Sequence, residues 1–61
     1  MFKYRIGSVI KYTAFGGVVR VVTVTEKEAD IKNGRPGFGG DMADGQLVWG
    51  YDSQIIQVIS F

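Results

Sequence analysis

"GFGGDMADGQLVWGYD", residues 37–52, holds the pattern on which the fold turns. Asp44-Gly45 is a turn dipeptide with alternating apolar residues on both sides, the strongest short-range signal of a β-hairpin. A two-residue type I′ turn there pairs Met42 with Leu47, Gly40 with Trp49 and Phe38 with Tyr51. That register gathers Phe38, Met42, Leu47, Trp49 and Tyr51 on one face. It sets Gly40 opposite the indole, as space for it. The other face then carries Gly37, Gly39, Asp41, Val48, Gly50 and Asp52.

The same period of two runs back to the start of the chain. Phe2, Tyr4, Ile6, Ser8, Ile10 and Tyr12 share one parity, and Lys3, Arg5, Gly7, Val9, Lys11 and Thr13 the other. This is apolar-in, polar-out strand alternation. Gly7-Ser8 bends the run, leaving Met1–Ile6 as a lead-in and Val9–Thr13 as the first strand. Phe15-Gly16-Gly17 supplies a turn. "GVVRVVTVTEKE", residues 17–28, is a long second strand rich in β-branched residues. Its alternation places Arg20 on a face with Val18, Val22 and Val24, so a β-bulge near Val21-Val22 is expected. The bulge turns Val19, Val21 or Val22, and Val24 inward, with Arg20, Thr23, Thr25 and Lys27 outward.

Further along, Asn33-Gly34 predicts a type I′ hairpin, and Arg35-Pro36-Gly37-Phe38 a type II turn. Pro36, without an N–H, belongs on an edge or outside the ladder. Asp52-Ser53-Gln54 predicts one turn of 3₁₀ helix, and Ile55–Ile59 a closing strand. Together these elements specify an all-β fold: a small SH3-like barrel of about five short antiparallel strands, with a 3₁₀ turn before the last strand, forming one domain over residues 1–61.

Composition narrows the chemistry. A chain of 61 residues has room for one domain and buries only about 60% of its unfolded surface. It contains no Cys and no His, which excludes thiol nucleophiles, imidazole bases and zinc sites of the usual kind. Catalysis would fall to carboxylates. Glu26, Glu28 and Asp30 read as a solvated strand edge, while Asp41 and Asp44 read as turn residues. Asp41, Asp44 and Asp52 lack calcium-loop spacing. The expectation is a non-enzyme without cofactor or metal. No apolar run approaches the roughly 20 residues of a membrane helix. Lys3 and Arg5 interrupt what would have to be a signal sequence, so a cytoplasmic protein with no membrane partner is expected.

Charge is unevenly spread. Residues 1–35 hold all seven basic residues against Glu26, Glu28 and Asp30 (7 − 3 = +4), whereas residues 36–61 hold Asp41, Asp44 and Asp52 (−3). Lys32 and Arg35 bracket the Asn33-Gly34 turn, and Phe38 stands just beyond. Cations for phosphate beside rings that stack on bases suit a nucleic acid, with Lys11 and Arg20 as secondary basic contacts. "GRPGFGG" is not a phosphate-binding P-loop, since it lacks the closing Gly-Lys-Ser/Thr and opens no helix. "GRP" resembles part of the minor-groove hook Arg-Gly-Arg-Pro, but Asn33 stands in place of the first Arg and no basic residue follows Pro36.

The alternative partner is a polypeptide. SH3-like domains grip extended partners with exposed aromatics on one flank, which makes Phe38, Trp49 and Tyr51 contact candidates. Eight aromatics are more than a core this small can hide. Tyr4, Tyr12, Phe15 and Tyr51 are expected at the surface. Open strand edges and the apolar "IIQVISF", residues 55–61, also suit a second copy of the chain. The sequence therefore reads as a non-catalytic interaction module, binding a protein partner or itself, with nucleic-acid binding through Lys32, Arg35, Arg20 and Lys11 as the alternative.

"IKNGRPGF" (Ile31–Phe38) and "VWGYDSQI" (Val48–Ile55), preceded by "GSVIKY" (Gly7–Tyr12), resemble a pattern in short uncharacterised proteins of actinobacteria and their phages. The likeness spans most of the chain. It implies a bacterial or phage origin and a location in the bacterial, or infected host, cytoplasm. It carries no activity across.

Overall fold

The computed structural model describes residues 2–61; Met1, part of the expected lead-in, lies outside them. Five antiparallel strands form one sheet: β1 Val9–Thr13, β2 Val19–Lys32, β3 Arg35–Asp41, β4 Leu47–Tyr51 and β5 Ile55–Ser60. Their spatial order is β4-β3-β2-β1-β5. A single 3₁₀ turn, Asp52–Gln54, precedes β5, as its Asp-Ser pair led one to expect. The fold is all-β, and no helix among the described residues is long and apolar enough to cross a membrane.

β2 is the spine. Its first part, Val19–Thr23, pairs with β1, and Thr23–Lys32 pairs with β3. Alternation through Val21-Val22 is unbroken, contrary to the expected bulge. Val22 and Val24 are buried, while Val19 and Val21 are exposed. Arg20 therefore faces inward. It sits near the start of the strand, where its stem can lie on apolar surface while the guanidinium reaches the rim. The irregularities fall later, between Val24 and Glu26 and between Glu28 and Lys32. In the second, residues 29–31 oppose Pro36 alone. Pro36 thus lies inside β3 where the ladder asks for no donor, and no type II turn forms. Lys32 pairs with Arg35 across Asn33 (φ 57°) and Gly34 (φ 71°), the expected type I′ geometry. Asp30 Oδ1 accepts the Gly34 N–H at 2.8 Å. Glu26, Glu28 and Asp30 are exposed and lie on the half of β2 that pairs with β3 alone, since β1 pairs only as far as Thr23; that flank is a solvated strand edge, as expected.

The β3–β4 hairpin differs from its sequence reading by one residue, and that residue reverses a face. The observed partners are Gly37–Tyr51, Phe38–Gly50, Gly39–Trp49, Gly40–Val48 and Asp41–Leu47. The turn is longer than type I′. Met42 N–H donates to the Gln46 carbonyl at 2.9 Å, and Gly45 N–H to the Met42 carbonyl at 2.8 Å. Only Gly45 (φ 86°) of the turn residues has positive φ, which is the three-residue loop closed by a left-handed glycine. Asp44 Oδ1 accepts the Gln46 N–H at 2.9 Å. A one-residue slip moves every side chain to the opposite face, so Phe38 and Val48 turn inward while Trp49, Tyr51 and Leu47 turn outward. Gly40 makes room for β2 rather than for the indole. A Cβ there would lie 2.2 Å from the Thr23 carbonyl oxygen and 2.7 Å from Val22 Cγ2.

The core consists of Tyr4, Ile10, Tyr12, Ala14, Val22, Val24, Phe38 and Ile55, with Val48 and Val58 packed against it. Tyr51, expected at the surface, is buried beneath its neighbours, and Tyr4 and Tyr12, expected there too, are buried in the core. Both rings meet Phe38 edge-on, at centroid distances of 6.1 and 5.0 Å. A core drawn from so short a chain needs these large rings to fill it. The Tyr4 hydroxyl stays satisfied by donating to buried Asp52, with the Gly37 carbonyl also in reach at 3.3 Å. Burial, then the hydrogen bond to Asp52 and its charge, push the Tyr4 pKa well above its ordinary value. This pair ties the lead-in to the 3₁₀ turn.

Candidate functional site

The register of the hairpin builds an aromatic face outside the core. Trp49 and Tyr51, two apart on β4, stand on the same side with centroids 5.4 Å apart and planes at 85°. Phe15, from the β1–β2 turn, completes the group. It lies 5.1 Å from Trp49 and 6.1 Å from Tyr51. Trp49 is half-buried, Phe15 is 57% exposed, and Tyr51 is largely covered by its neighbours.

The basic turn folds down onto these rings. Lys32 Nζ lies 5.1 Å from the Trp49 centroid, and Arg35 Cζ 4.2 Å from that of Tyr51. Both distances fit a cation over an aromatic face. Arg35 also donates to Ser53 Oγ at 3.1 Å, and Asn33 Nδ2 to the Tyr51 hydroxyl at 3.0 Å. The turn that presents Lys32 and Arg35 is therefore docked rather than free.

Beside Trp49 runs a shallow groove lined by Thr25, Glu26, Ile31, Gly39, Leu47 and Trp49. Its floor is low because Gly39, directly across from Trp49, carries no side chain. A Cβ at Gly39 would meet nothing closer than Glu26 Cβ and Oε2 at 3.6 Å. The fold would accept a side chain here; the groove would not. Gly37 differs, since a Cβ there would lie 2.3 Å from both the Gly50 carbonyl oxygen and Ile31 Cγ2.

Of the residues singled out from sequence, the structure unites Lys32, Arg35, Trp49 and Tyr51. Phe38 is separated from them: at 0% exposure it is a core ring with no surface for a partner. Lys11 lies elsewhere, and Arg20 is remote from Lys32 and Arg35, although it lines a cleft on the other flank of Trp49. Lys11 pairs with Val21 and Gln57, and Arg20 with Tyr12, all far along β2 from the Lys32 turn. The basic residues thus form no single patch. Asp52 is committed to Tyr4 and Asp44 to its turn.

Two contributors carried little signal in the sequence. Ile31 enters the groove only because of the irregular stretch beside Pro36. Gln54 bridges two strands that are not neighbours in the sheet: its Oε1 accepts the Tyr51 N–H at 2.7 Å, and its Nε2 donates to the Thr13 carbonyl at 2.8 Å. One amide side chain thereby joins β4 to the end of β1, holding Phe15 beside Trp49. No protein-family model, no curated protein and no solved structure matches the chain.

Proposed function

We propose that this small SH3-like barrel is a non-catalytic binding module that takes an extended polypeptide against the face around Trp49. The observation that carries the reading is Trp49 itself. A half-exposed indole is fixed by Phe15, Tyr51 and Lys32 and borders a groove floored by Gly39. Rings already held in place lose little side-chain freedom on binding, and a glycine floor admits another backbone at close range.

Local charge favours a polypeptide over a nucleic acid. The cations Lys27, Lys32 and Arg35 are balanced by Glu26, Glu28 and Asp30 on the same stretch of β2 and its hairpin, so no net positive field draws a polyanion. Lys32 and Arg35 are moreover stacked on the protein's own rings, and Lys27 Nζ donates to the Tyr4 carbonyl at 2.7 Å. A second copy of the chain is one polypeptide that could fill the face.

Trp49 is the only tryptophan, so its fluorescence reports the site directly. Peptides selected from a random library on the immobilised protein should shift that emission on titration. They should lose at least tenfold in affinity against Gly39→Val, placed where an added Cβ meets only ordinary contacts and checked for native circular dichroism. Selected peptides that bind without affecting Trp49, or that ignore Gly39→Val, would overturn the proposal. So would a labelled single-stranded oligonucleotide that binds at low salt and is released by Lys32→Ala with Arg35→Ala. Light scattering across concentrations, repeated on Gly39→Val, reads whether a second copy uses the same face.

A further inference from the structure

β4 is an edge strand, and its free edge opens onto a cleft lined by Arg20, a cation with no ion pair among the described residues. The bond from Met42 N–H to the Gln46 carbonyl fixes the alternation of the hairpin ladder. Gln46, Val48 and Gly50 exchange hydrogen bonds with β3, while the N–H and C=O groups of Leu47, Trp49 and Tyr51 turn to the free side. Tyr51 follows this rule, its N–H being taken by Gln54. Gln54 and Phe15 thus close one end of the edge. Leu47, 77% exposed, and Trp49 line the open end.

The cleft along that end is bounded by Tyr12, Ala14, Arg20, Leu47, Val48 and Trp49. Arg20 is the anomaly. It occupies a core-facing position opposite Tyr12 and is half-buried. Among the described residues, its guanidinium makes one hydrogen-bond contact, at 3.9 Å to the Met42 sulfur. A thioether is a weak acceptor, and a guanidinium offers a planar fork of donors suited to a carboxylate. An inward-pointing cation is one way to guard an edge against unwanted pairing. The same cation, beside open backbone groups, also specifies what may pair there.

We infer that the polypeptide bound by this module adds as a short strand to the free edge of β4, pairing with Leu47 and Trp49 and setting a carboxylate on Arg20. This rests on the polypeptide-binding reading above and names the chemistry of the partner. The main-chain bonds are indifferent to sequence, and the Arg20 contact supplies the selectivity. The carboxylate can come from an Asp or Glu side chain or from a chain terminus, which is the same chemistry for the guanidinium.

Two libraries of random nonapeptides distinguish these sources, one displayed internally between fixed flanks and one ending in a free carboxylate. Selection on the wild-type protein should enrich Asp or Glu at one position in the first library if side chains are read. If termini are read, only the second library should yield binders. Affinity of the selected peptides should fall at least tenfold with Arg20→Gln and by less with Arg20→Lys, which keeps the charge but not the fork, each checked for native circular dichroism. In amide-exchange NMR, bound peptide should slow exchange at Leu47 and Trp49 and leave Val48 and Gly50, already bonded to β3, unchanged. Peptides that bind and respond to Gly39→Val, yet show no acidic enrichment and ignore Arg20→Gln, refute the carboxylate while leaving the module intact. Protection absent at Leu47 and Trp49 refutes strand addition. If neither library yields a binder, the module reading falls and this inference with it.

Discussion

Gly39 and Gly40 are adjacent on β3, and substituting alanine at each should change stability in opposite directions. At Gly40 the new methyl would sit 2.2 Å from the Thr23 carbonyl oxygen and 2.7 Å from Val22 Cγ2. The nearer atom is backbone of the central strand, so relief requires β3 to move off β2. Overpacking of this kind costs about 1–3 kcal/mol, and a backbone obstacle places Gly40→Ala at the upper end. A domain of 61 residues has a total stability of roughly 3–9 kcal/mol, so the loss is a large fraction of it. At Gly39 the nearest atoms lie at 3.6–3.7 Å, ordinary contact. Alanine also restrains the unfolded chain and suits a strand interior better than glycine by roughly 0.5–1 kcal/mol. Gly39→Ala should therefore be neutral or stabilising. Urea denaturation followed by Trp49 fluorescence and by circular dichroism measures both. With a slope near 1 kcal/mol per molar urea, the midpoints of the two variants should differ by about 2 M or more. If Gly40→Ala is tolerated and Gly39→Ala is damaging, β3 does not lie against β2 as described, and the groove floored by Gly39 does not exist as described.

Two further outcomes test the closures of the sheet. The Tyr4 hydroxyl ionises well above its ordinary value of 10.0 because of burial and then Asp52. Its contribution is complete below pH 10 and declines above it, where the unfolded chain releases the proton first. Stability should fall by up to about 1.4 kcal/mol per pH unit from one such group. Urea titrations between pH 8 and 11.5 should show this slope in the wild type and a shallower one in Tyr4→Phe; equal slopes refute the assignment. Gln54→Ala strips partners from the Tyr51 N–H and the Thr13 carbonyl, at a cost of about 1–3 kcal/mol, and should hasten exchange of the Tyr51 amide. Stability within ~0.3 kcal/mol of wild type would show that the bridge does not hold β4 to β1.

The parts of this fold that were legible in the sequence are those governed by local chemistry. Val9–Thr13 alternates cleanly and is β1; Asn33-Gly34 demands positive φ twice and makes the type I′ turn; Asp52-Ser53 starts the 3₁₀ turn. The register of β3 against β4 was not legible, because Asp44-Gly45 serves a two-residue and a three-residue loop equally well. What decides between them is tertiary: whether Val48 or Trp49 joins Phe38 in the space against Tyr4 and Tyr12. Pro36-Gly37 misled for a related reason, since a long-range irregularity in β2 absorbs the proline. For the site, Lys32, Arg35, Trp49 and Tyr51 could be picked out by residue type, and the structure brings them together. Phe38 has the same composition-level signal and a different fate, because parity, not chemistry, assigns it to the core. Arg20 gave no signal of its inward place, because a charged residue at a core-facing position runs against strand alternation and is tolerated only where its stem can reach the rim.

The pairing order sets a sequence of events as well as a shape. β1 with β2, β2 with β3 and β3 with β4 are all neighbours in the chain, whereas β1 with β5 joins Val9 to Ser60 across nearly its whole length. The first three pairings close short loops quickly; the last must wait for residues 55–60 to be synthesised and to find their place. Until then β1, the strand that carries Ile10 and Tyr12 into the core, has an unpaired flank, and any nascent or partly refolded chain exposes it. Vulnerability to aggregation and to proteolysis is thus concentrated in a single late event, the docking of β5.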